Sequence, residues 1–376
     1  MQFRDLKKQY EALKPEIDAS IQSVLDNSNY ILGKQVTELE NTLANYVGRK
    51  YCITCASGTD ALVLSLMSKD IGQGDAVFVP DFTYIASASC ASLVGATPIF
   101  VDIDLKTFNM RADALENAVQ NVIKEGKLTP KVVIPVDLFG LPADYMSIKD
   151  VAEKYNLFVL EDAAQGFGGN IDGKMACSLG NMSTTSFFPA KPLGCYGDGG
   201  AIFTDDEIVN ERLRSIRAGG KSPLDKYDNR EIGTNSRLDT IQAAILLTKF
   251  KAFKEYELEH VNEVAAWYTD RLNDYTITPT IPTGFYSSWA QYTIKLKNKE
   301  ERDKLQRELR KFDIPSMVYY PRGMHQQQAF KDRLIDDNLY KNTCEVVDEV
   351  LSLPMHPYLD EKMVDNICKN VIDILK

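Results

Sequence analysis

The sequence predicts an α/β protein whose large domain is a mostly parallel, doubly wound seven-stranded sheet sandwiched by helices, followed by a smaller C-terminal α+β domain. Three observations lead there. Seven short apolar runs recur between residues 51 and 204, each bounded by turn residues. Helical patterns separate the earlier runs, and strands that are apolar throughout and joined through helices belong to a sheet covered on both faces. Beyond residue 252 long amphipathic helices alternate with isolated strand-like segments, so the boundary is placed there. Residues 1–252 form the arm and large domain, and 253–376 the small one.

The elements come in this order. Residues 1–34 read as an arm and a helix ending near "YILG". In "VTELENTLANYVG", Val36, Leu39, Leu43 and Tyr46 recur at helical spacing before Gly48 stops the helix. The strand "YCITC" precedes the helix "TDALVLSLMSKD", "AVFVP" precedes "YIASASCASLVG", and "TPIFVDID" precedes "ADALENAVQNVIKEG". "KVVIPV" is followed by the helix "YMSIKDVAEKYN", and "LFVLED", "STTSFF" and "GAIFT" complete the sheet. In the small domain, "FKEYELEHVNEVAAWYTDRL" leads into "SWAQYTIKL", "EERDKLQRELRKF" and "IPSMVYYP".

Composition narrows the function. The 376 residues are 44% hydrophobic and 26% charged, ample for a large core. The 43 basic and 53 acidic residues are scattered, and with a net charge of −10 they leave no basic stripe for nucleic acid. No apolar run reaches the ~20 residues of a membrane span, and "MQFRDLKKQYEALKPEID" has no leader-like apolar stretch. A cytoplasmic protein without nucleic-acid or membrane partners is expected, and the seven cysteines then belong to a reducing compartment. Cys52 and Cys55 lie three apart on a strand and so face opposite sides, only three histidines exist, and no metal site is expected.

Three stretches carry candidate chemistry. In "SFFPAKPLGCYGDGG", Pro189 and Pro192 stiffen a loop around Lys191. That lysine reads either as a snorkelling surface residue or as a Schiff-base amine that needs desolvation. "LFVLEDAAQGFGG" ends a buried strand in Glu161-Asp162, at the edge where open α/β sheets bind ligands. Asp162 is a helix or turn cap, or a carboxylate that keeps the ring nitrogen of pyridoxal phosphate protonated; Gln165 would then reach the cofactor's phenolic oxygen. "ASGTDAL" opens a helix after a strand, with Ser57 or Thr59 as a cap or its free N–H groups as an anion site. Neither "GFGGN" nor "GDGGA" completes a dinucleotide fingerprint, and no Walker A loop is present. Tyr84 in "VPDFTYIASAS" is a core ring or a stacking ring, and Asn235 in "GTNSRLDTIQAAILL" is a helix-start residue or a phosphate ligand.

Taken together, Ser-Gly-Thr, Glu-Asp-Ala-Ala-Gln, Ser-Phe with Lys-Pro-Leu-Gly and Gly-Gly-Ala, and Asn-Ser-Arg-Leu-Asp occur in one order at the ends of successive α/β units. From "FRDLKKQY" to "LSLPMHPYL" the chain resembles the sugar nucleotide aminotransferases of the DegT/DnrJ/StrS type, pyridoxal phosphate enzymes of the aspartate aminotransferase fold. The resemblance implies that Lys191 is the Schiff-base lysine, Asp162 the partner of the pyridine nitrogen and Gln165 the contact to the phenolic oxygen. It makes Gly58, Thr59 and Ser186 the phosphate cradle, Tyr84 the stacking ring, and Asn235 a phosphate ligand from the second subunit of a homodimer with shared active sites.

It further implies two half-reactions: L-glutamate leaves as 2-oxoglutarate with the cofactor in its pyridoxamine phosphate form, and a keto-sugar nucleotide then takes up the amine. Within the family the chain looks most like enzymes that aminate C3 of UDP-2-acetamido-2-deoxy-3-oxo-glucuronic acid for surface polysaccharides such as O-antigen. The alternatives are C4 amination of a UDP-4-oxo-6-deoxy sugar and C3 amination of a dTDP-3-oxo-6-deoxy sugar. Arg237, Tyr319, Tyr320 and His325 are the substrate candidates, with Arg217, Lys221, Arg230 and Arg322 as further cations suited to a diphosphate or uronate. One departure stands out: many relatives carry Arg-His-Gly where this chain has "RAGG" at 217–220. Lys191 argues against the sugar dehydratases of the same fold, which lack it. The missing basic DNA-binding region argues against a regulator without turnover.

Overall fold

The computed structural model describes residues 1–222, 225, 227–331 and 337–376. The seven expected strands form one sheet: β1 (Tyr51–Cys55), β2 (Asp75–Pro80), β3 (Thr97–Val101), β4 (Thr129–Val133) and β5 (Phe158–Asp162). After a small hairpin of β6 (Asn170–Ile171) and β7 (Lys174–Met175) come β8 (Met182–Ser186) and β9 (Gly200–Thr204). The order is β1-β9-β8-β5-β4-β2-β3. Neighbours from β8 to β3 are parallel, and β9 alone runs antiparallel to both strands beside it.

The helices are those the periodicity predicts. Asp5 caps α1 (Leu6–Asn27) by accepting from Lys8 N at 3.0 Å, and Gly48 ends α2 (Lys34–Val47) with a φ of +76° that a side chain rarely adopts. Then come α3 (Gly58–Ser68), α4 (Ala86–Leu93), α5 (Ala112–Glu125), α6 (Tyr145–Tyr155), α7 (Glu207–Ile216) and α8 (Thr240–Ala252). Neighbouring strand residues divide between the two faces, as period-2 geometry demands. Ile53, Val77 and Ile202 pack with Leu62, Leu66 and Leu213 of α3 and α7. Cys52 and Phe203 pack on α2 and α8, and Phe78 and Val133 on α5 and α6. Both faces are therefore apolar, which is why these strands read as unbroken hydrophobic runs.

A π-helical turn over residues 253–257 carries α8 directly into α9 (Leu258–Leu272). β10 (Phe285–Tyr286) pairs with the small hairpin. A further core forms from α9, β11 (Tyr292–Lys295), α10 (Lys299–Lys311), β12 (Val350–Leu353) and α12 (Glu361–Leu375), with Tyr268, Tyr292, Leu305, Leu353 and Ile367 inside. β11 and β12 are antiparallel, while "IPSMVYYP" contributes one bridge, Met317 to Ser352, in place of a strand. α11 (Lys341–Glu349) turns back, so that Val346 and Val347 pack against Phe82, Phe108 and Phe139 near the sheet's carboxyl edge.

Glu161 and Asp162 end β5 on opposite faces. Glu161 is fully buried and its carboxylate accepts from Cys177 N at 2.5 Å, Leu179 N at 2.7 Å, Gly180 N at 2.9 Å and Ser183 Oγ at 2.7 Å. It ties the chain after β7 to the sheet. Glu161→Ala leaves three buried N–H groups without an acceptor, and we expect a loss of about 3–5 kcal/mol, read as a fall in the urea midpoint. A loss below about 1 kcal/mol would show that water replaces the carboxylate.

Candidate active site

The sheet's parallel strands all end at one edge, and the site is built from the turns and loops that leave it. There Gly200, which starts β9, pairs with both Cys55 of β1 and Ser186 of β8. A Cβ on Gly200 would meet Ser57 O at 2.4 Å, and one on Gly58 would meet Ser186 Cβ at 2.6 Å. Two glycines thus let the first turn of α3 sit directly against the end of β8. Ser57 Oγ takes Asp60 N at 3.1 Å and Ser57 O takes Ala61 N at 3.0 Å. The N–H groups of Gly58 and Thr59 have no partner among the described residues and, with the half-buried Ser186, form an anion cradle at a helix N-terminus.

Asp162 lies at the centre of this edge. It is 4% exposed and accepts from Ser87 Oγ at 2.8 Å and Ala164 N at 3.1 Å. Burial pushes its carboxyl up, against those two bonds and the charge of Lys191. Ser87 is a contact that the sequence did not single out; its place in the first turn of α4 is the only local signal. Lys191 is the mirror case: burial pulls it down to about 8, opposed by Asp162 and reinforced by Arg4. Among the described residues its ammonium makes no hydrogen bond.

Gln165 is buried with Oε1 accepting from Phe139 N at 2.7 Å and Nε2 donating to the Tyr320 hydroxyl at 3.0 Å. Tyr84 is 55% exposed, with its ring 6.5 Å from that of Tyr320. Gly58, Thr59, Tyr84, Asp162, Gln165, Ser186, Lys191 and Tyr320 thus gather at the carboxyl edge. The side chain of Tyr319 packs edge-on to Tyr320 at 5.7 Å and is half-buried. Asn235 is exposed beside half-buried Arg237, and between them Ser236 Oγ donates to Asp60 Oδ2 at 2.6 Å, which fastens this segment to α3.

Two residues lie elsewhere than a ligand contact requires. Arg217 is 5% exposed and donates to Glu40 Oε1 at 2.6 Å and Thr54 O at 2.7 Å, a tie between α7, α2 and β1 that corrects its reading as a substrate cation. His325 is buried, with Nδ1 2.5 Å from Asp81 Oδ2, Nε2 3.2 Å from Asp337 Oδ1, and its ring stacked on Tyr340. Burial pulls its imidazole down, but the two carboxylates prevail and raise it. Both nitrogens are occupied, so a substrate contact would have to break an ion pair. Lys221, Arg230 and Arg322 are exposed. In the "RAGG" loop, Gly220 has a φ of +77° and a Cβ there would meet Glu231 O at 1.8 Å, so only glycine fits.

Residues 11–372 match the model of the DegT/DnrJ/EryC1/StrS aminotransferase family. The chain is 45% identical to a UDP-2-acetamido-2-deoxy-3-oxo-D-glucuronate aminotransferase of Pseudomonas aeruginosa over 98% of each chain. The chain belongs to the DegT/DnrJ/EryC1/StrS aminotransferase family. A crystal structure of a DegT DnrJ EryC1 StrS aminotransferase from Brucella abortus superimposes with a TM-score of 0.96 at 45% identity, covering 100% of this chain and 99% of that one. NtdA from Bacillus subtilis, solved with bound cofactor PMP, gives 0.88 at 27% identity over 97% and 82%.

This family member is a pyridoxal phosphate-dependent sugar nucleotide aminotransferase. Its residues fit the cofactor. The unpaired N–H groups of Gly58 and Thr59 await a phosphate. The lone ammonium of Lys191 awaits a carbonyl, and the desolvated carboxylate of Asp162 awaits a cation.

The buried carboxylate of Asp162 carries a cost in the cofactor-free chain. Its carboxyl is raised in the folded chain above the ~3.9 of an unfolded one. Its contribution to stability is thus present below that value and lost as pH rises through the folded pKa. At neutral pH we expect cofactor-free Asp162→Asn to be at least as stable as the wild type, with the difference vanishing in acid, while the loaded enzyme loses about 100-fold or more of its rate. Thermal midpoints across pH and steady-state rates test both halves; a variant less stable at neutral pH contradicts the first.

Proposed function

We propose that this enzyme moves the amino group of L-glutamate to C3 of UDP-2-acetamido-2-deoxy-3-oxo-D-glucuronic acid, a step toward surface polysaccharide sugars such as those of O-antigen. One observation carries the reading: the 45% identity to the Pseudomonas aeruginosa enzyme of that name spans 98% of both chains. In the proposed assembly two copies share their active sites, with Asn235 reaching the partner's cofactor phosphate. The exposure of Asn235, together with exposed Tyr84, Phe188 and Ile232 on one chain, supports that arrangement.

When bound, the cofactor supplies an electron sink for the charge left on carbon as a proton departs. This chain's residues do the rest. Gly58, Thr59 and Ser186 hold the phosphate. Asp162, kept charged by Ser87, Ala164 N–H and its new cation, holds a proton at the ring nitrogen. The amide of Gln165, fixed by Phe139 N and Tyr320, has one N–H left for the phenolic oxygen.

Tyr84 covers one face of the ring and excludes water. Lys191 binds the cofactor at rest. Once free, its amine would take the α-proton of the amino donor and hold it for delivery to the cofactor carbon, which requires a base whose pKa lies near the working pH. Arg237, Tyr319 and Tyr320 border the space for the sugar nucleotide, and the exposed Lys221, Arg230 and Arg322 are the cations available to its diphosphate and carboxylate.

Two outcomes test this. Lys191→Ala should keep its fold by circular dichroism yet lose the visible absorbance of lysine-linked cofactor and at least about 1,000-fold of the turnover; normal turnover would sink the assignment. For the substrate, enzyme treated with glutamate and freed of 2-oxoglutarate should regain its visible absorbance on addition of the UDP-linked 3-oxo uronate. Return with a UDP- or dTDP-linked 6-deoxy keto sugar, and not with the uronate, would overturn the proposed substrate and leave the enzyme class standing.

A further inference from the structure

The loop that carries Lys191 lies outside any helix or strand, and two cations, half-buried Arg4 and buried Lys249, reach three of its main-chain carbonyls. Arg4, from the N-terminal arm, donates through Nη2 to Lys191 O at 2.8 Å and Pro192 O at 3.5 Å. Lys249 of α8 donates to Gly194 O, and its ammonium lies 5.0 Å from the centre of the Tyr196 ring. Glu257, in the π-helical turn, answers both. It is buried, its charge acts on Arg4 and on Lys249, and it accepts from Gln9 Nε2 at 2.9 Å and from the Tyr358 hydroxyl at 2.7 Å.

Among the described residues neither cation makes a direct ion pair with Glu257, and charged groups held largely out of water in this way are an arrangement that apolar side chains of similar volume would ordinarily match or better. None of these three groups stands among the residues assigned to cofactor or substrate, so their retention asks for another explanation.

We propose that Arg4 is a positioning residue for Lys191: its guanidinium holds that residue's main-chain carbonyl and, as a second cation beside the same residue, disfavours the ammonium form of its amine. The proposal rests on the reading of Lys191 as the cofactor lysine. Its geometric part is direct. Pro189 and Pro192 stiffen the loop, Lys191 N donates to Phe188 O at 2.8 Å, and Arg4 then takes the carbonyl of that same residue. A second positive charge disfavours the ammonium form of a nearby lysine. The charges that act on Lys191 are Asp162, which holds its proton on, and Arg4, which drives it off.

The charged and titratable groups that interact with Arg4 are Glu257, Lys249, Lys191 and His356, and Asp5 and Lys8 act in turn on His356. Burial first, and then Arg4, hold His356 down to about 4, so this imidazole is neutral and adds no charge. Arg4 itself is pulled by burial only to about 10 and stays charged at neutral pH. The residue before it completes the device. Phe3 O accepts from Met355 N at 3.1 Å and the Phe3 ring lies 6.1 Å from that of Tyr319. The arm therefore touches the lysine loop and the substrate-side tyrosines with adjacent residues.

The test measures the amine itself, in full-length cofactor-free protein, by competitive acylation across pH and mass spectrometry of the Lys191 peptide. The wild type should be half-reactive near pH 8. Arg4→Met should move that midpoint up by about one pH unit, and Arg4→Lys, which restores the charge, should bring most of it back. Loaded with cofactor, Arg4→Met should lose roughly tenfold or more in kcat with little change in KM for glutamate.

If Arg4→Met does not fold, Arg4→Gln keeps donors for the carbonyls without the charge, and the same upward shift is expected. An unmoved midpoint in a folded Arg4→Met or Arg4→Gln, with only a lower thermal midpoint, overturns the proposal and makes Arg4 a structural clamp. Failure of the underlying reading looks different: lysine-linked absorbance and turnover would survive in Lys191→Ala, whatever the labelling midpoints show.

Discussion

A buried carboxylate at the end of β5 and a largely desolvated amine on the loop after β8 set the terms for the rest of this structure. Asp162 is pushed toward its neutral form and Lys191 toward its own by the same burial, and each is restrained by the other's charge. Such a pair is costly unless its surroundings are rigid and its hydrogen bonds are supplied. The surroundings supply them: Ser87 and Ala164 N–H on the carboxylate, two prolines and two cations around the lysine loop. The sheet fixes Asp162 through its backbone, and Arg4 of the arm and Lys249 of α8 hold the lysine loop through its carbonyls.

The same edge shows how a strand order becomes a binding surface. β9 is antiparallel, so its first residue, not its last, arrives beside the ends of β1 and β8. With glycine at 58 and 200 the ends of β1 and β8 and the start of β9 meet closely, and among the described residues the first N–H groups of α3 have no partner. Those unpaired groups suit a phosphate, as the buried carboxylate suits a ring cation and the unbonded ammonium suits a carbonyl.

Ionic ties elsewhere serve the fold. Glu40 with Arg214 and Arg217 joins α2, α7 and β1, and Asp81 with His325 joins the end of β2 to the segment after Tyr320. Glu161, next to Asp162 but on the other face, takes four donors and anchors the chain beyond β7. Adjacent carboxylates at one strand end thus do unrelated work because successive side chains point to opposite sides of a sheet.

Seven strands, their bounding helices and the placing of Ser57 to Thr59, Asp162, Ser186 and Lys191 at or just beyond the ends of strands were legible in the sequence alone, since period and turn chemistry are local properties. It also carried the family, through four short motifs in one order along the chain. The partners of the charged side chains were settled only in three dimensions. Arg217 and His325 read as available for substrate and are spent on Glu40 and Asp81, 177 and 244 residues away. Arg4 lies in an arm without a local motif, yet it grips the carbonyl of Lys191 across 187 residues of chain. A long cationic side chain bonds whatever acceptor the packed chain brings within reach. Its local sequence gives the charge, and only the folded chain gives the acceptor.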